Sequence, residues 1–293
     1  MKASAFSYTR ASSVNDALEL LALHGDQAKI LSGGQSLMPA LNLRLSAPEL
    51  LVDIGAIDEL REISVANGIL RIGALTRHVD VLRSAEIAKH APLLTEAIAH
   101  VAHPAIRNRG TFGGSLAHAD PASELPACVL ALDAVIIVRS KSGERRVRAA
   151  DFFTGIYETL LSPEELLVAV EIPVAKPNAI YFFHEYARRK GDYAIVGLAA
   201  CGIRDGEVLK SLRLGYFAVG DRPMLATASK HLTGRPVTTS MLTDAQAALD
   251  AELDPQEDQQ ATAGMRRYLA RQLLARCVSA LLERSDLEAR ALA

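Results

Sequence analysis

Lys29-Ile-Leu-Ser-Gly-Gly-Gln-Ser36 carries an apolar strand signal, Ala28 to Leu31, straight into two glycines flanked by serines. About 80 residues downstream, Thr111-Phe112-Gly113-Gly114-Ser115 repeats that chemistry. Glycine lacks a Cβ, so consecutive N–H groups can turn toward one anion and the backbone can approach it closely. Neighbouring Ser and Thr hydroxyls add donors for phosphate oxygens. One Gly-Gly pair marks only a turn. Two with matching chemistry predict a diphosphate held between two loops, as in a dinucleotide cofactor. An adaptor whose loops bind some other anion is the competing, non-enzymatic reading.

The chain has 293 residues, which favours two domains over one. Hydrophobic residues make up 49% and charged residues 23%, the balance of a globular protein with a sizeable core. With 32 basic against 34 acidic residues and no basic tract, nucleic acid and acidic membrane surfaces lack electrostatic support. No apolar run approaches the roughly 18 residues that span a bilayer. The first residues, Met1-Lys-Ala-Ser-Ala-Phe-Ser-Tyr8, lack the apolar centre of a signal peptide, so a cytoplasmic location is expected. Cys128, Cys201 and Cys277 are scattered in apolar surroundings and are expected to be buried thiols. Their spacing does not suit a cluster held by this chain alone.

Local patterns alternate between strand and helix, a mixed layer architecture. Ser13 caps a helix through His24 that Gly25 stops. Leu50 to Ile54 reads as a strand, and Asn67-Gly68 as a hairpin turn between Glu62–Val65 and Ile69–Ile72. Thr76 is expected to cap a helix through Leu82, and two short helices follow around Pro92. Glu124 to Leu132 reads as a helix, and Ala134–Arg139 and Leu166–Ile172 as strands. Pro173 to Pro177 marks the best boundary. Three strands, Ala179–Tyr186, Ala194–Ile203 and Leu209–Val219, lead into a helical region from Arg222, with a long amphipathic helix over Ala263–Arg284.

Lys29-Ile-Leu-Ser-Gly-Gly-Gln-Ser-Leu-Met-Pro39 and Arg107-Asn-Arg-Gly-Thr-Phe-Gly-Gly-Ser-Leu-Ala-His-Ala-Asp-Pro-Ala-Ser-Glu-Leu-Pro126 together resemble the paired FAD motifs of the flavoprotein (medium) subunits of molybdenum hydroxylases. Gly73-Ala-Leu-Thr-Arg-His78, Leu160-Leu-Ser-Pro-Glu-Glu165 and Arg188-Arg-Lys-Gly-Asp-Tyr-Ala194 agree. The resemblance runs from about Phe6 to the C-terminal helices. It implies an α+β fold: a two-lobed FAD-binding domain of the vanillyl-alcohol-oxidase (PCMH-like) type over residues 1–175. A C-terminal domain of three antiparallel strands and a helix bundle would fill residues 178–293.

By the same resemblance, amides around Ile30, Leu31, Ser32, Gly33, Gly34, Gln35, Ser36 and Leu37, and around Gly110, Thr111, Gly113, Gly114 and Ser115, would neutralise the pyrophosphate. The hydroxyls of Ser36, Thr111 and Ser115 would add direct bonds. His118 and Asp120 fall in the same binding stretch. Glu124 would face the ribose or adenosine end, where a carboxylate can take both ribose hydroxyls. Leu161 and His184 match positions lining the flavin, His184 replacing the Lys of some relatives. Tyr193 is the aromatic placed against the isoalloxazine ring. Gln35 stands where flavin oxidases of the wider fold class carry a flavin-linking His, so noncovalent FAD is expected.

Other constellations carry less. His100 and His103 are three apart on an expected helix but lack Cys or carboxylate partners at zinc spacing, so no metal site is expected. Ser115, His118 and Asp120 contain the residue types of a hydrolase triad, yet no G-x-S-x-G elbow presents the serine. Arg188-Arg189-Lys190 could meet a phosphate or a partner subunit. No residue is expected to be catalytic in the acid–base sense. The resemblance implies an electron-transfer role: [2Fe–2S] clusters on a small subunit and molybdopterin on a large subunit, with FAD here passing electrons to an external acceptor. A self-contained flavin oxidase is the alternative, although only about 115 residues follow Pro177 to cap the ring.

Overall fold

The computed structural model describes residues 2–283. A small parallel sheet opens the chain, with Leu50–Asp53 between Ser7–Arg10 and Ala28–Leu31. Leu50, Leu51 and Val52 are buried apolar residues, and Asp53, buried with them, accepts from Arg10 and from the Gly55 N–H. Ser7–Arg10 is exposed along its whole length, so no apolar alternation announces it and the sequence reading lacks it. The helix Val14–His24 starts at Ser13, whose Oγ accepts the Asp16 N–H at 3.1 Å. It ends at Gly25, with φ of +52°. Val14, Leu18 and Leu21 share a core with Val52 and Ile54.

Five antiparallel strands form the second lobe, in the order Ile63–Ala66, Ile69–Gly73, Leu166–Pro173, Val135–Ser140, Gly143–Arg148. The Asn67-Gly68 hairpin is present, both residues having positive φ. One face of this sheet carries Ile72, Ile136, Val138 and Val170 into the largest core, beside Leu93, Leu94, Phe112, Leu116 and Cys128. The other face sends Ile137, Leu166 and Val168 into the core of the first lobe. The helices His78–Arg83, Ala85–His90, Pro92–Ile98, Phe112–His118 and Glu124–Ala131 cover the first face. Thr76 does not cap the first of them: Arg77 holds that position, and Thr76 Oγ1 donates to the Arg61 carbonyl at 3.3 Å. His100 and His103 lie on the connection after Ile98 rather than on a helix.

Ala179–Ala187, Ala194–Asp205 and Val208–Phe217 form the expected antiparallel strands, and a short fourth, Met224–Ala226, extends the sheet where a helix was expected. A 3-10 helix, Thr227–Leu232, follows it, and the first α-helix beyond is Thr239–Glu252. Alternation gives the sheet two apolar faces. Phe183, Ala199 and Phe217 join the core under Glu124–Ala131, whereas Phe182, Leu198 and Leu214 meet the long helix Ala263–Leu282. Gly215 permits the first contact, since a Cβ there would lie 2.3 Å from the Ala127 carbonyl oxygen. Arg284, the last residue of the expected helix, lies outside the described residues. Cys128 and Cys277 are buried and Cys201 half-buried, all as free thiols.

Candidate cofactor site

Folding brings the two glycine loops into contact. Ser32 Oγ and Thr111 Oγ1 are 2.7 Å apart across 79 residues of sequence. Gly33 lies directly on the second loop: a Cβ there would be 2.4 Å from the Arg109 carbonyl oxygen and 2.9 Å from Gly110 Cα. The first loop leaves the strand Ala28–Leu31 and enters the short helix Leu37–Asn42, with Gly34 at φ +71° making the turn. Ile30 is half-buried beside the first-lobe core, and the Leu31 carbonyl accepts the Ile54 N–H at 3.0 Å. Gln35 Nε2 donates to the Gly33 carbonyl at 3.0 Å and closes the loop on itself. Among the described residues, the amides of Gly33, Gly34, Gln35, Ser36 and Leu37 donate to no protein group. Five open N–H groups on one small-residue turn suit an anion.

The second loop is built differently from the expectation that its amides meet the phosphates. Gly110 N–H donates to Ile106, Phe112 N–H to Thr76 and Gly113 N–H to Ala74, at 2.7, 2.8 and 2.9 Å. Gly114 N–H goes to Thr111 Oγ1 at 3.2 Å and Ser115 N–H to the Thr111 carbonyl at 3.0 Å, as the helix Phe112–His118 begins. These donors tie the loop to residues 74–76 and start a helix, so they are spent. The Thr111 amide alone in this stretch lacks a protein acceptor among the described residues. The second loop therefore offers that amide and hydroxyls, while the first offers a run of amides. Ser115 Oγ is 3.2 Å from Ser123 Oγ. The pair of loops fits one diphosphate, with donors of two kinds from two sides.

Beyond the loops, the His118 ring packs at a tilt of 38° against Tyr157, their centroids 4.9 Å apart. Burial holds the His118 imidazole below its ordinary pKa, with Asp120 opposing. Asp120 is buried and its Oδ1 accepts the Ala122 N–H at 2.9 Å; Asp120 and His118 both neighbour Tyr157, whereas Ser115 pairs with Ser123. Leu161 follows the small hairpin Phe153–Gly155/Glu158–Thr159, which packs beside the helix Phe112–His118. Tyr193 is 61% exposed. Partial burial first, and then Asp120 and Glu124, raise its phenol pKa.

Glu124 is buried in the first turn of its helix. Burial, followed by the charges of Glu185 and Asp120, pushes its pKa up to about 8. At pH 7 Glu124 is therefore chiefly the neutral acid, one donor and one acceptor rather than the carboxylate expected from sequence. Folded Glu124 keeps a proton that the unfolded chain loses above 4.5, so this group costs stability as pH rises from 4.5 through 8. Glu124→Gln is expected to unfold at a higher temperature than the parent at pH 8, the gap closing toward pH 4.5. Parallel melting curves at both pH values would count against the neutral acid.

Glu185 is the site-proximal residue that sequence reasoning missed. Its side chain is 5% exposed, and Oε1 lies 3.4 Å from His100 Nδ1. Strand parity could have found it, because Glu185 shares an inward face with Phe183. The same parity turns His184 the other way. Its Nε2 is 3.0 Å from an Arg276 guanidinium nitrogen, and its ring neighbours Phe182 and Tyr186 face the long helix. The structure brings Ile30–Leu37, Gly110–Ser115, His118, Asp120, Glu124 and Tyr193 to one region and leaves His184 on the opposite face of the sheet.

Residues 4–175 match the family model described as the FAD binding domain in molybdopterin dehydrogenase, and residues 181–281 match the CO dehydrogenase flavoprotein C-terminal domain. The chain is 48% identical over 200 residues to the 6-hydroxypseudooxynicotine dehydrogenase complex subunit alpha of Paenarthrobacter nicotinovorans, covering 68% of each. It is 38% identical to the caffeine dehydrogenase subunit beta of Pseudomonas sp. (strain CBB1), covering 97% of each. A carbon monoxide dehydrogenase structure from Hydrogenophaga pseudoflava superimposes with a TM-score of 0.94 at 34% identity, covering 97% of this chain and 99% of that one. The five open amides and facing hydroxyls thus sit within an FAD-binding domain, and the chain belongs to the FAD-carrying medium subunits of the molybdenum hydroxylase family.

Proposed function

We propose that this chain is the electron-transfer subunit of a multi-subunit molybdenum hydroxylase, holding FAD noncovalently and working in the cytoplasm. Its partners would be a small [2Fe–2S] subunit and a large molybdopterin subunit. FAD, when bound, accepts electrons singly or in pairs and so connects one-electron clusters to an external acceptor. The observation that carries the reading is the meeting of the two loops, Ser32 Oγ against Thr111 Oγ1 at 2.7 Å beside the open amides of Gly33 to Leu37.

The residues of this chain bind and orient. Gly33 to Leu37 supply N–H groups to the diphosphate; Ser36, Thr111 and Ser115 supply hydroxyls. Glu124, as a neutral acid, both donates and accepts at its end of the cofactor. Tyr193 covers a ring face and excludes water from it. Gln35 is engaged with the Gly33 carbonyl and has no nucleophilic nitrogen to form a flavin bond. The proposed boundary between the two domains is Pro173 to Pro177, where the main chain leaves the five-stranded sheet for the C-terminal one.

Two measurements test this. Acid should release the whole flavin from purified protein as FAD, not FMN, since FMN has only one phosphate. The isolated chain should be reduced by dithionite yet show no flavin bleaching with purines, other N-heterocycles or aldehydes. Adding the small and large subunits should restore substrate-dependent bleaching. Rapid bleaching of the lone chain by any of these substrates would replace the relay with a self-contained oxidase.

A further inference from the structure

His78 lies behind the second glycine loop, buried at 5% exposure, and is joined to it by both main chain and side chain. Its N–H donates to the Gly110 carbonyl at 2.9 Å, and the Phe112 N–H donates back to Thr76 at 2.8 Å. Between these two bonds Arg77 and Thr111 face each other as an isolated antiparallel bridge. The imidazole Nε2 lies 3.0 Å from the Thr111 carbonyl oxygen. A carbonyl only accepts, so Nε2 carries the hydrogen. Nδ1 is then unprotonated, and it is buried with no hydrogen-bond partner. The ring is packed tightly here: a Cβ on Gly110 would lie 3.0 Å from both Nδ1 and Cε1.

We propose that His78, as its Nε2–H tautomer, is a positioning residue that fixes Thr111 so that its amide and hydroxyl face the diphosphate between the loops. Peptide planarity makes the connection. The Gly110 carbonyl and the Thr111 N–H belong to one trans peptide and point in opposite directions. Holding that carbonyl on the His78 N–H therefore turns the Thr111 N–H away from His78. This is the same amide that finds no protein acceptor in the loop. The imidazole then fixes the next peptide. With the Ser115 N–H it gives the Thr111 carbonyl two donors, which sets the residue on both sides of its Cα. The hydroxyl is left against Ser32 Oγ at 2.7 Å and the Gly114 N–H at 3.2 Å. Burial, helped by the Arg107 charge, lowers the His78 pKa to about 4, so near neutrality the ring offers a single N–H. That N–H already has its acceptor. The inference rests on the two-loop binding site proposed above.

The test uses the full chain, stripped of flavin and titrated with FAD, in the parent and in His78→Gln, His78→Asn and His78→Phe. A glutamine amide nitrogen can occupy the place of Nε2, an asparagine amide falls short of it, and phenylalanine keeps the ring without the donor. His78→Gln should bind FAD within about threefold of the parent, and His78→Asn and His78→Phe about tenfold or more weakly. Nitrogen-15 histidine spectra of the stripped chain should show the His78 ring, identified by its absence from His78→Gln, in the Nε2–H form, with a signal that moves when FAD is added. Parent-like affinity in a folded His78→Phe, or an Nδ1–H ring, would overturn the proposal. Where His78→Phe does not fold, the Gln and Asn variants decide: equal affinities overturn it and a Gln-only rescue supports it. Gly33→Val in the same titration separates the two levels. Lost binding there with intact binding in the His78 variants removes only the role of His78, whereas intact binding in Gly33→Val removes the site itself.

Discussion

Gly33→Val is expected to abolish FAD binding. The substituted Cβ would lie 2.4 Å from the Arg109 carbonyl oxygen and 2.9 Å from Gly110 Cα, and both obstacles are backbone. Neither can rotate aside, so the two loops must separate, and the 2.7 Å contact between Ser32 and Thr111 is lost with them. Overpacking of this kind costs on the order of 2–3 kcal/mol, a loss of roughly 100-fold in affinity before any misdirected amide is counted. Gly34→Val provides a graded comparison. Its φ of +71° disfavours a β-branched residue, but the nearest atom to the new Cβ is a movable side-chain methyl, Leu31 Cδ1, at 3.2 Å. A smaller loss of affinity is expected there. The measurement is the flavin-to-protein ratio after purification and the FAD titration of the stripped chain. Stoichiometric FAD in Gly33→Val would sink the assignment of both loops.

Arg266→Ala is expected to lower stability by about 3 kcal/mol, from the lost hydrogen bonds of a buried guanidinium to two carbonyls and the space its side chain leaves. For a chain of this size that corresponds to a fall of roughly 6–12 °C in Tm. Arg266 is 6% exposed on the long C-terminal helix. One nitrogen donates to the carbonyls of Ile195 and Ala218, and the other holds Asp258 at 2.7 Å. Alanine leaves two strand-end carbonyls without that donor and opens space between helix and sheet. Arg266 touches neither glycine loop, so the flavin-to-protein ratio at low temperature should stay near that of the parent. Arg266→Lys should fall between the two, because an ammonium cannot span three acceptors with a planar fork. A melting temperature within 2 °C of the parent (about 0.5–1 kcal/mol) would mean that the network contributes little.

What was legible in the sequence was short-range. Ser13 announces a helix start because its oxygen accepts an N–H group three residues on, whereas the cap at Thr111 emerged only in the fold. Asn67-Gly68 announces a hairpin because few other pairs take two positive φ values. The glycine loops were visible for the same reason, as was the family, whose motifs are strings of such local requirements. The exposed strand Ser7–Arg10 and the short strand Met224–Ala226 escaped because pairing partners, and not apolar alternation, make them strands.

The sequence by itself therefore determined that two glycine loops of matching chemistry exist, that an α+β chain carries them, and which residue types line them. Only the tertiary structure decided how those residues are used. Gly113 and Phe112 donate to Ala74 and Thr76, which leaves neither amide open to a ligand, and His78 stands behind Thr111 from another helix. Glu124 is a neutral acid because Glu185, on a strand far along the chain, adds its charge to the cost of burial. His184 faces the long helix because strand alternation and the packing of two faces put it there. A local pattern fixes φ, ψ and the chemistry on offer. Hydrogen-bond partners, burial and neighbouring charge are long-range quantities, and they come into being only when the lobes close on each other.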